Sequence, residues 1–139
     1  MARSYGEAAR SGLGVRLPAI ETWENQFPGT VVTIVDPEYT AVCPKTGLPD
    51  FGTVTVQYEP DRRCIELKSF KMYLNAYRDV GIFYENAVNR ILRDLVRACG
   101  PVWMSVTGEF RPRGGICTRV EARYDRRKAR TRRGPSRAR

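Results

Sequence analysis

Four separate stretches of the chain have the hydrophobic pattern of β-strands. Residues 52–58 and 117–124 alternate between apolar and polar positions, which is typical of a strand with one buried face. Residues 30–35, the first stretch in the chain, are β-branched throughout, and residues 102–110, the third, form the longest stretch. We expect Asp36-Pro37 to end the first strand, because proline lacks the N–H that a sheet requires. The pattern therefore predicts four strands.

The apolar spacing becomes helical between the second and third of these strands, after a short extended piece at residues 64–67. Residues 83–99 repeat an i, i+3, i+4 pattern that ends at Gly100-Pro101, a typical helix stop. Residues 68–77 show the same apolar face through Phe70, Tyr73, Leu74 and Tyr77. The resulting order, ββααββ, predicts an α+β domain: an antiparallel sheet with two helices on one face.

The ends of the chain differ in composition from this domain. Residues 1–29 lack sustained periodicity and are predicted to form a flexible arm, with the folded domain at residues 30–124. Residues 125–139 carry a net charge of +7, out of +9 for all 139 residues, and are expected to form a basic, disordered tail. The positive charge therefore indicates a solvated appendage or a nonspecific RNA contact, not a basic folded face.

A four-stranded open sheet leaves unpaired backbone groups along both edges, which proteins usually cover. Pairing between subunits would close such sheets into a barrel. The sequence therefore predicts a homo-oligomer.

The absence of histidine narrows the possible chemistry. Without it, Ser-His-Asp and Cys-His activation and all histidine-ligated metal sites are excluded. The four cysteines have no Cys-x-x-Cys spacing, and no metal site is expected. There is no apolar run long enough for a membrane span and no secretory signal pattern, so we expect a cytoplasmic protein with reduced thiols.

The most distinctive stretch is the segment 40–51, which we expect to be a rigid loop. Pro44 and Pro49 restrict the backbone and Gly47 permits a turn between them. The segment holds Cys43 and Asp50 seven residues apart, and a stiff loop is a suitable way to position a thiol beside a carboxylate, because reacting groups need precise placement. The same residues also fit a small buried cysteine and an aspartate that caps a turn.

Four motifs resolve this ambiguity by resemblance. They are residues 43–51 (CPKTGLPDF), 66–73 (ELKSFKMY), 83–85 (FYE) and 112–115 (PRGG). In this order and spacing, from about residue 30 to residue 124, the chain resembles the single-module NADPH-dependent 7-cyano-7-deazaguanine reductases (QueF) of queuosine biosynthesis, a tRNA modification pathway. The resemblance implies the tunnelling fold, which is shared with GTP cyclohydrolase I. It also implies barrels of several subunits, commonly two stacked pentamers, with active sites at subunit boundaries.

The resemblance also implies roles for particular residues. Cys43 matches the nucleophile that attacks the nitrile, and Asp50 matches the acid that protonates the nitrile nitrogen. The reaction would then need no metal, and two hydrides from NADPH would give the amine. The substrate residues implied are Ile65, Glu66, Leu67, Tyr84 and Glu85. The cofactor residues implied are Leu67, Lys68, Arg113 and Gly114.

This sequence departs from the family pattern in having Tyr84 where many members have histidine. Two other functions fit parts of the sequence. One is an amidine-forming relative that adds ammonia to the same nitrile on tRNA, for which the basic tail would have a purpose but against which residues 66–69 argue. The other is a noncatalytic RNA-binding module, which only the tail favours.

Overall fold

The computed structural model describes residues 4–128. Residues 129–139, most of the predicted basic tail, lie outside the described part. The helices are α1 (Tyr5–Ala8), α2 (Leu67–Asn75), a 3₁₀ helix (Ala76–Asp79) and α3 (Tyr84–Cys99). The strands are β1 (Thr22–Glu24), β2 (Val32–Val42), β3 (Pro49–Glu59), β4 (Arg63–Ile65), β5 (Trp103–Arg113) and β6 (Ile116–Asp125).

The main sheet is antiparallel and four-stranded, in the order β2-β3-β5-β6. Alternate residues of β3 and β5, such as Val54, Val56 and Val106, point into the core, where helices α2 and α3 cover them. The opposite face is polar, with threonine, glutamine and charged side chains such as Glu109 and Arg119. This confirms the α+β prediction of an antiparallel sheet with its main helices on one face.

Strand β2 is longer than expected, because Asp36-Pro37 does not end it. The strand passes through this dipeptide with a shift of register between Asp36 and Tyr39. Two conditions make the proline tolerable: β2 is an edge strand, and a bulge removes the need for one ladder N–H. Asp36 also accepts a hydrogen bond from the backbone of Glu38 at 2.9 Å. The expectation of a strand end here was wrong.

Part of the predicted N-terminal arm is built into the domain. Strand β1 pairs with β4 in a second, two-stranded sheet. The buried guanidinium of Arg90 donates to the carbonyl oxygens of Gly12 and Val15. Arg90 is in turn paired with Asp94 at 3.3 Å. These backbone and side-chain contacts have no hydrophobic period, which is why the sequence pattern did not reveal them.

The start of the predicted tail also contacts the domain. Asp125 is the last residue of β6 and pairs with Trp103. Arg126 forms an ion pair with Asp61 at 3.0 Å and donates to the carbonyl oxygen of Gly100. The ordered domain therefore extends a few residues beyond the predicted limit of 124.

Helix α3 lies close to β5 because Gly108 has no side chain. A Cβ there would lie 2.7 Å from both the Phe110 ring and a methyl group of Val88. This close approach lets Phe110 stack on Tyr84 at the first turn of the helix, with ring centroids 3.8 Å apart. Gly108 therefore sets the position of the N-terminus of α3 over the sheet.

We predict that Gly108→Ala lowers the free energy of unfolding by about 1–3 kcal/mol, because the added methyl group overpacks the helix–sheet contact. Gly14→Ala is the matched control: a Cβ at Gly14 meets nothing within 4 Å, so its effect should stay within about 0.5 kcal/mol. Urea denaturation of both variants measures this. Equal stabilities would contradict the proposed role of Gly108.

Candidate active site

The loop between β2 and β3 is shorter and tighter than the predicted segment. It consists of residues 43–48, because pairing of Val42 with Pro49 extends the strands on both sides. The N–H of Cys43 donates to the carbonyl oxygen of Leu48, and the N–H of Gly47 donates to that of Cys43, both at 2.9 Å. Gly47 has a φ of +69°, a conformation that glycine adopts without strain. The loop therefore fixes Cys43 directly at a sheet end.

This loop supplies hydrogen bonds that stabilise a thiolate on Cys43. Partial burial would raise the pKa of the thiol, but three hydrogen bonds outweigh it: one from the hydroxyl of Thr46 and one each from the backbone N–H groups of Thr46 and Lys45. The net result is a pKa below the ordinary thiol value, despite the nearby charge of Asp50. A lowered pKa is what a nucleophilic cysteine requires, and here no histidine is needed.

Asp50 is the second residue of β3, opposite Ala41, and its side chain is buried. Its Oδ1 atom pairs with Nε of Arg113 at 2.8 Å and accepts a hydrogen bond from the hydroxyl of Tyr84 at 3.1 Å. Arg113 also donates to the carbonyl oxygen of Pro49. A buried carboxylate held by two donors beside a thiol has a fixed position for accepting or returning a proton.

Tyr84 reaches this cluster because Gly81 bridges to Val42, next to Cys43. Partial burial and then the charge of Asp50 raise the pKa of Tyr84, so its hydroxyl stays neutral and can donate. Glu85, the next residue, is exposed in the first turn of α3. One end of the domain thus brings together Cys43, Asp50, Tyr84, Glu85 and Arg113.

The other predicted site residues lie elsewhere. The N–H of Ile65 donates to the hydroxyl of Tyr58. Tyr58 pairs with Val32, at the end of β2 opposite to Cys43. Leu67 lies beside Ile34 in the same region. Cys43 follows Val42, which lies about eight strand residues along β2 from Ile34. Residues 65–67 and Cys43 are therefore roughly 25 Å apart. Residues 65–68 therefore do not reach Cys43 within one chain.

Residues 65–68 have their own local structure. The carboxylate of Glu66 caps α2 by accepting hydrogen bonds from the N–H groups of Ser69 at 2.7 Å and Lys68 at 2.8 Å, and these bonds lower its pKa. Leu67 and Lys68 are exposed. Ile65 and Leu67 line a largely apolar groove of about 380 Å³ together with Trp23 and Phe27. A flat aromatic ligand could contact this groove.

The residues predicted for the cofactor have the chemistry that phosphate groups require. Lys68 offers an exposed ammonium group at a helix start, and Arg113 offers a guanidinium. Gly114 and Gly115 form a turn with φ values of +56° and +81°.

No group of three or more metal-ligating side chains occurs within residues 4–128. No helix in this range is long and apolar enough to cross a membrane.

Three contacts of the site were not predicted from the sequence. Thr46 had no assigned role, although a hydroxyl three residues after a cysteine in a turn is a recognisable signal. The Arg113–Asp50 ion pair joins residues far apart in the sequence, and the stacking of Phe110 on Tyr84 depends on Gly108. Neither of these two contacts has a local signal.

A thiol, a carboxylate and neutral hydrogen-bond donors at one sheet end define a domain equipped for covalent chemistry at a cysteine. The family model described as QueF-like protein matches residues 49–129. The chain is 54% identical over 119 residues to the NADPH-dependent 7-cyano-7-deazaguanine reductase of Elusimicrobium minutum, covering 85% of this chain and 90% of that protein. It is 55% identical over 108 residues to the reductase of the same name from Chloroherpeton thalassium, covering 76% and 93%. The chain belongs to the QueF-like family.

The fold has a counterpart among solved structures. The apo form of the archaeosine synthase QueF-Like superposes with a TM-score of 0.65 over 70% of this chain and 95% of that chain, at 24% sequence identity. At this identity the similarity shows the shared fold alone.

We predict that Thr46→Ala raises the pKa of the Cys43 thiol, because it removes the hydroxyl that stabilises the thiolate. At neutral pH, alkylation of Cys43 by iodoacetamide should become about threefold slower. Thr46→Ser keeps the hydroxyl and should retain the wild-type rate. The measurement is the pH dependence of alkylation, followed by mass spectrometry of the peptide that contains Cys43. Equal rates for the alanine and serine variants would show that the hydroxyl has no such effect.

Proposed function

We propose that this protein is an oxidoreductase, an NADPH-dependent 7-cyano-7-deazaguanine reductase that converts the nitrile of its substrate to the primary amine 7-aminomethyl-7-deazaguanine in queuosine biosynthesis. The observation that carries the proposal is the loop at residues 43–48, which lowers the pKa of Cys43 beside the buried Asp50. The relatives that bear the reductase name support the substrate and the cofactor.

The chemistry follows from the weakness of a nitrile as an electrophile. The sulfur of Cys43 forms a bond to the nitrile carbon while one carbon–nitrogen π bond breaks, giving a thioimide. The thiol proton passes to Asp50, and Asp50 delivers a proton to the nitrile nitrogen. No other acid or base is needed for this step. Covalent attachment converts a poor hydride acceptor into a better one.

Substrate recognition is proposed to involve both groups of site residues. Glu85 is exposed beside the cluster and can accept hydrogen bonds from the N–H groups of the deazapurine. Tyr84 holds Asp50 through a neutral hydroxyl, so it orients the carboxylate and does not titrate near neutral pH. Ile65, Glu66 and Leu67 provide a second wall, where the apolar groove accepts a flat ring.

For the cofactor, we propose that Lys68 and Arg113 bind the phosphates of NADPH, with Leu67 and the turn at Gly114 in contact with it. NADPH supplies hydride when it is bound. Arg113 would then link cofactor and catalytic acid, since its Nε atom already pairs with Asp50. The exposed part of its guanidinium is available to a phosphate from solvent.

The separation of the two groups supports an assembly in which sites form between subunits. We propose that a neighbouring copy brings residues 65–68 to the Cys43 end, because one chain keeps them roughly 25 Å apart. The uncovered edges of β2 and β6 would pair to close a barrel, as two stacked pentamers. The proposed location is the cytoplasm, and residues 129–139 are proposed as an appendage that nitrile reduction does not require.

We predict that Cys43→Ala abolishes turnover, since no other group can form the thioimide. The assembly should stay unchanged, because the loop is held by backbone hydrogen bonds. Product formation by mass spectrometry and the molar mass by light scattering test both expectations. Cys117→Ala, at an exposed thiol of β6, is the control and should keep full activity. Turnover by Cys43→Ala would disprove the covalent route.

Complementation tests the shared site. Cys43→Ala and Lys68→Ala should each be inactive or strongly impaired alone. After the two variants are unfolded together and refolded, about a quarter of the sites should contain both native residues, and activity should return to about that level. Separately refolded variants, mixed afterwards, are the control. Activity that does not rise above the control would mean that Cys43 and Lys68 act within one chain.

A further inference from the structure

The hydroxyl of Tyr39 is the one buried side-chain polar atom without a hydrogen-bond partner in the described part of the chain. Tyr39 lies on β2 opposite Gly52 and is 3% exposed. Its ring packs between those of Tyr77 and Phe110, with centroid distances of 5.6 and 6.0 Å. The ring is well packed, so the hydroxyl alone is unexplained.

An unpartnered buried hydroxyl is unfavourable, because the group loses its hydrogen bonds to water and gains none from the protein. Phenylalanine would keep the same ring contacts without that cost. Native proteins pair most such groups, and the exceptions concentrate where a group serves catalysis or binding. The hydroxyl of Tyr39 therefore calls for a functional explanation.

The position of Tyr39 connects it to the catalytic cluster. Because Tyr39 pairs with Gly52 and Ala41 pairs with Asp50, the side chains of Tyr39 and Asp50 are diagonal neighbours on one face of the sheet. Phe110, against which Tyr39 packs, also stacks on Tyr84. Burial raises the pKa of Tyr39, and the neighbouring Tyr77, Asp50 and Tyr84 raise it further. The hydroxyl is therefore a neutral donor.

Asp50 needs such a donor. The carboxylate must accept and return a proton in every cycle without changing position, and its Oδ1 atom already carries the contacts of Arg113 and Tyr84. When Arg113 also binds a phosphate, its guanidinium is shared between that phosphate and the carboxylate, and Tyr84 is the one neutral donor that the structure shows on Asp50. A further neutral donor on the sheet side would keep the carboxylate aligned with the nitrile nitrogen.

We propose that Tyr39 is a positioning residue for Asp50, and that its hydroxyl becomes a donor to the carboxylate during proton transfer. This inference rests on the proposed function and extends it to a residue outside the predicted site. Its effect is on the proton transfer that accompanies thioimide formation, not on the thiolate of Cys43.

The test is the rate at which 7-cyano-7-deazaguanine forms a covalent adduct on Cys43 in the full-length protein without NADPH, followed by intact-protein mass spectrometry. Tyr39→Phe should form the adduct about three- to tenfold more slowly, the equivalent of one hydrogen bond. Its urea midpoint should equal or exceed that of the wild type, because no protein hydrogen bond is lost. Its iodoacetamide rate at Cys43 should be unchanged.

Tyr73→Phe is the matched control. Tyr73 is equally buried, but its hydroxyl donates to Asp94 at 2.6 Å and contacts the hydroxyl of Tyr77 at 2.9 Å. This variant should have a lower urea midpoint and the wild-type adduct rate. A wild-type adduct rate in Tyr39→Phe would overturn the inference, as would a lower midpoint together with slower alkylation of Cys43. If the wild type itself forms no adduct, the proposed function fails instead.

Discussion

The site depends on the register between β2 and β3. Pairing of Ala41 with Asp50 and of Val42 with Pro49 leaves six residues for the connection, and the hydrogen bond from Cys43 to Leu48 closes it. A shift of one residue would turn Asp50 from the buried face to the solvent face. In the shifted register, Asp50 would lose both the ion pair with Arg113 and the hydrogen bond from Tyr84. The placement of Cys43 and Asp50 therefore depends first on the strand register of the sheet.

The electrostatics of the cluster combine opposing effects. Burial and the charge of Asp50 both oppose a thiolate on Cys43, whereas the hydrogen bonds of the loop favour it and prevail. Arg113 balances the carboxylate at 2.8 Å, so the thiol and the acid can be adjacent without leaving an uncompensated buried charge. In this chain, which has no histidine, backbone amides and a hydroxyl lower the pKa of Cys43.

The sequence predicted the strands, the two main helices and a loop that holds Cys43, because period-two and helical apolar patterns are local, but it placed Asp50 in that loop and not in β3. It did not predict the passage of β2 through Pro37 or the built-in β1, which depend on an edge position and on backbone pairing. The pairing of Arg113 with Asp50 and the unpartnered hydroxyl of Tyr39 also arise only when distant strands meet. The motifs predict the chemistry, whereas the geometry shows how the groups are held.

The most direct test of the account is the stoichiometry of the complete reaction. Purified protein is given 7-cyano-7-deazaguanine and NADPH, with oxidation followed by absorbance and the product identified by mass spectrometry. About two NADPH should be oxidised for each 7-aminomethyl-7-deazaguanine formed, because a nitrile needs two hydrides to become a primary amine. A stable adduct on Cys43 without NADPH oxidation would contradict the assignment as a reductase. Release of an amidine from that adduct by ammonia would indicate the amidine-forming function instead.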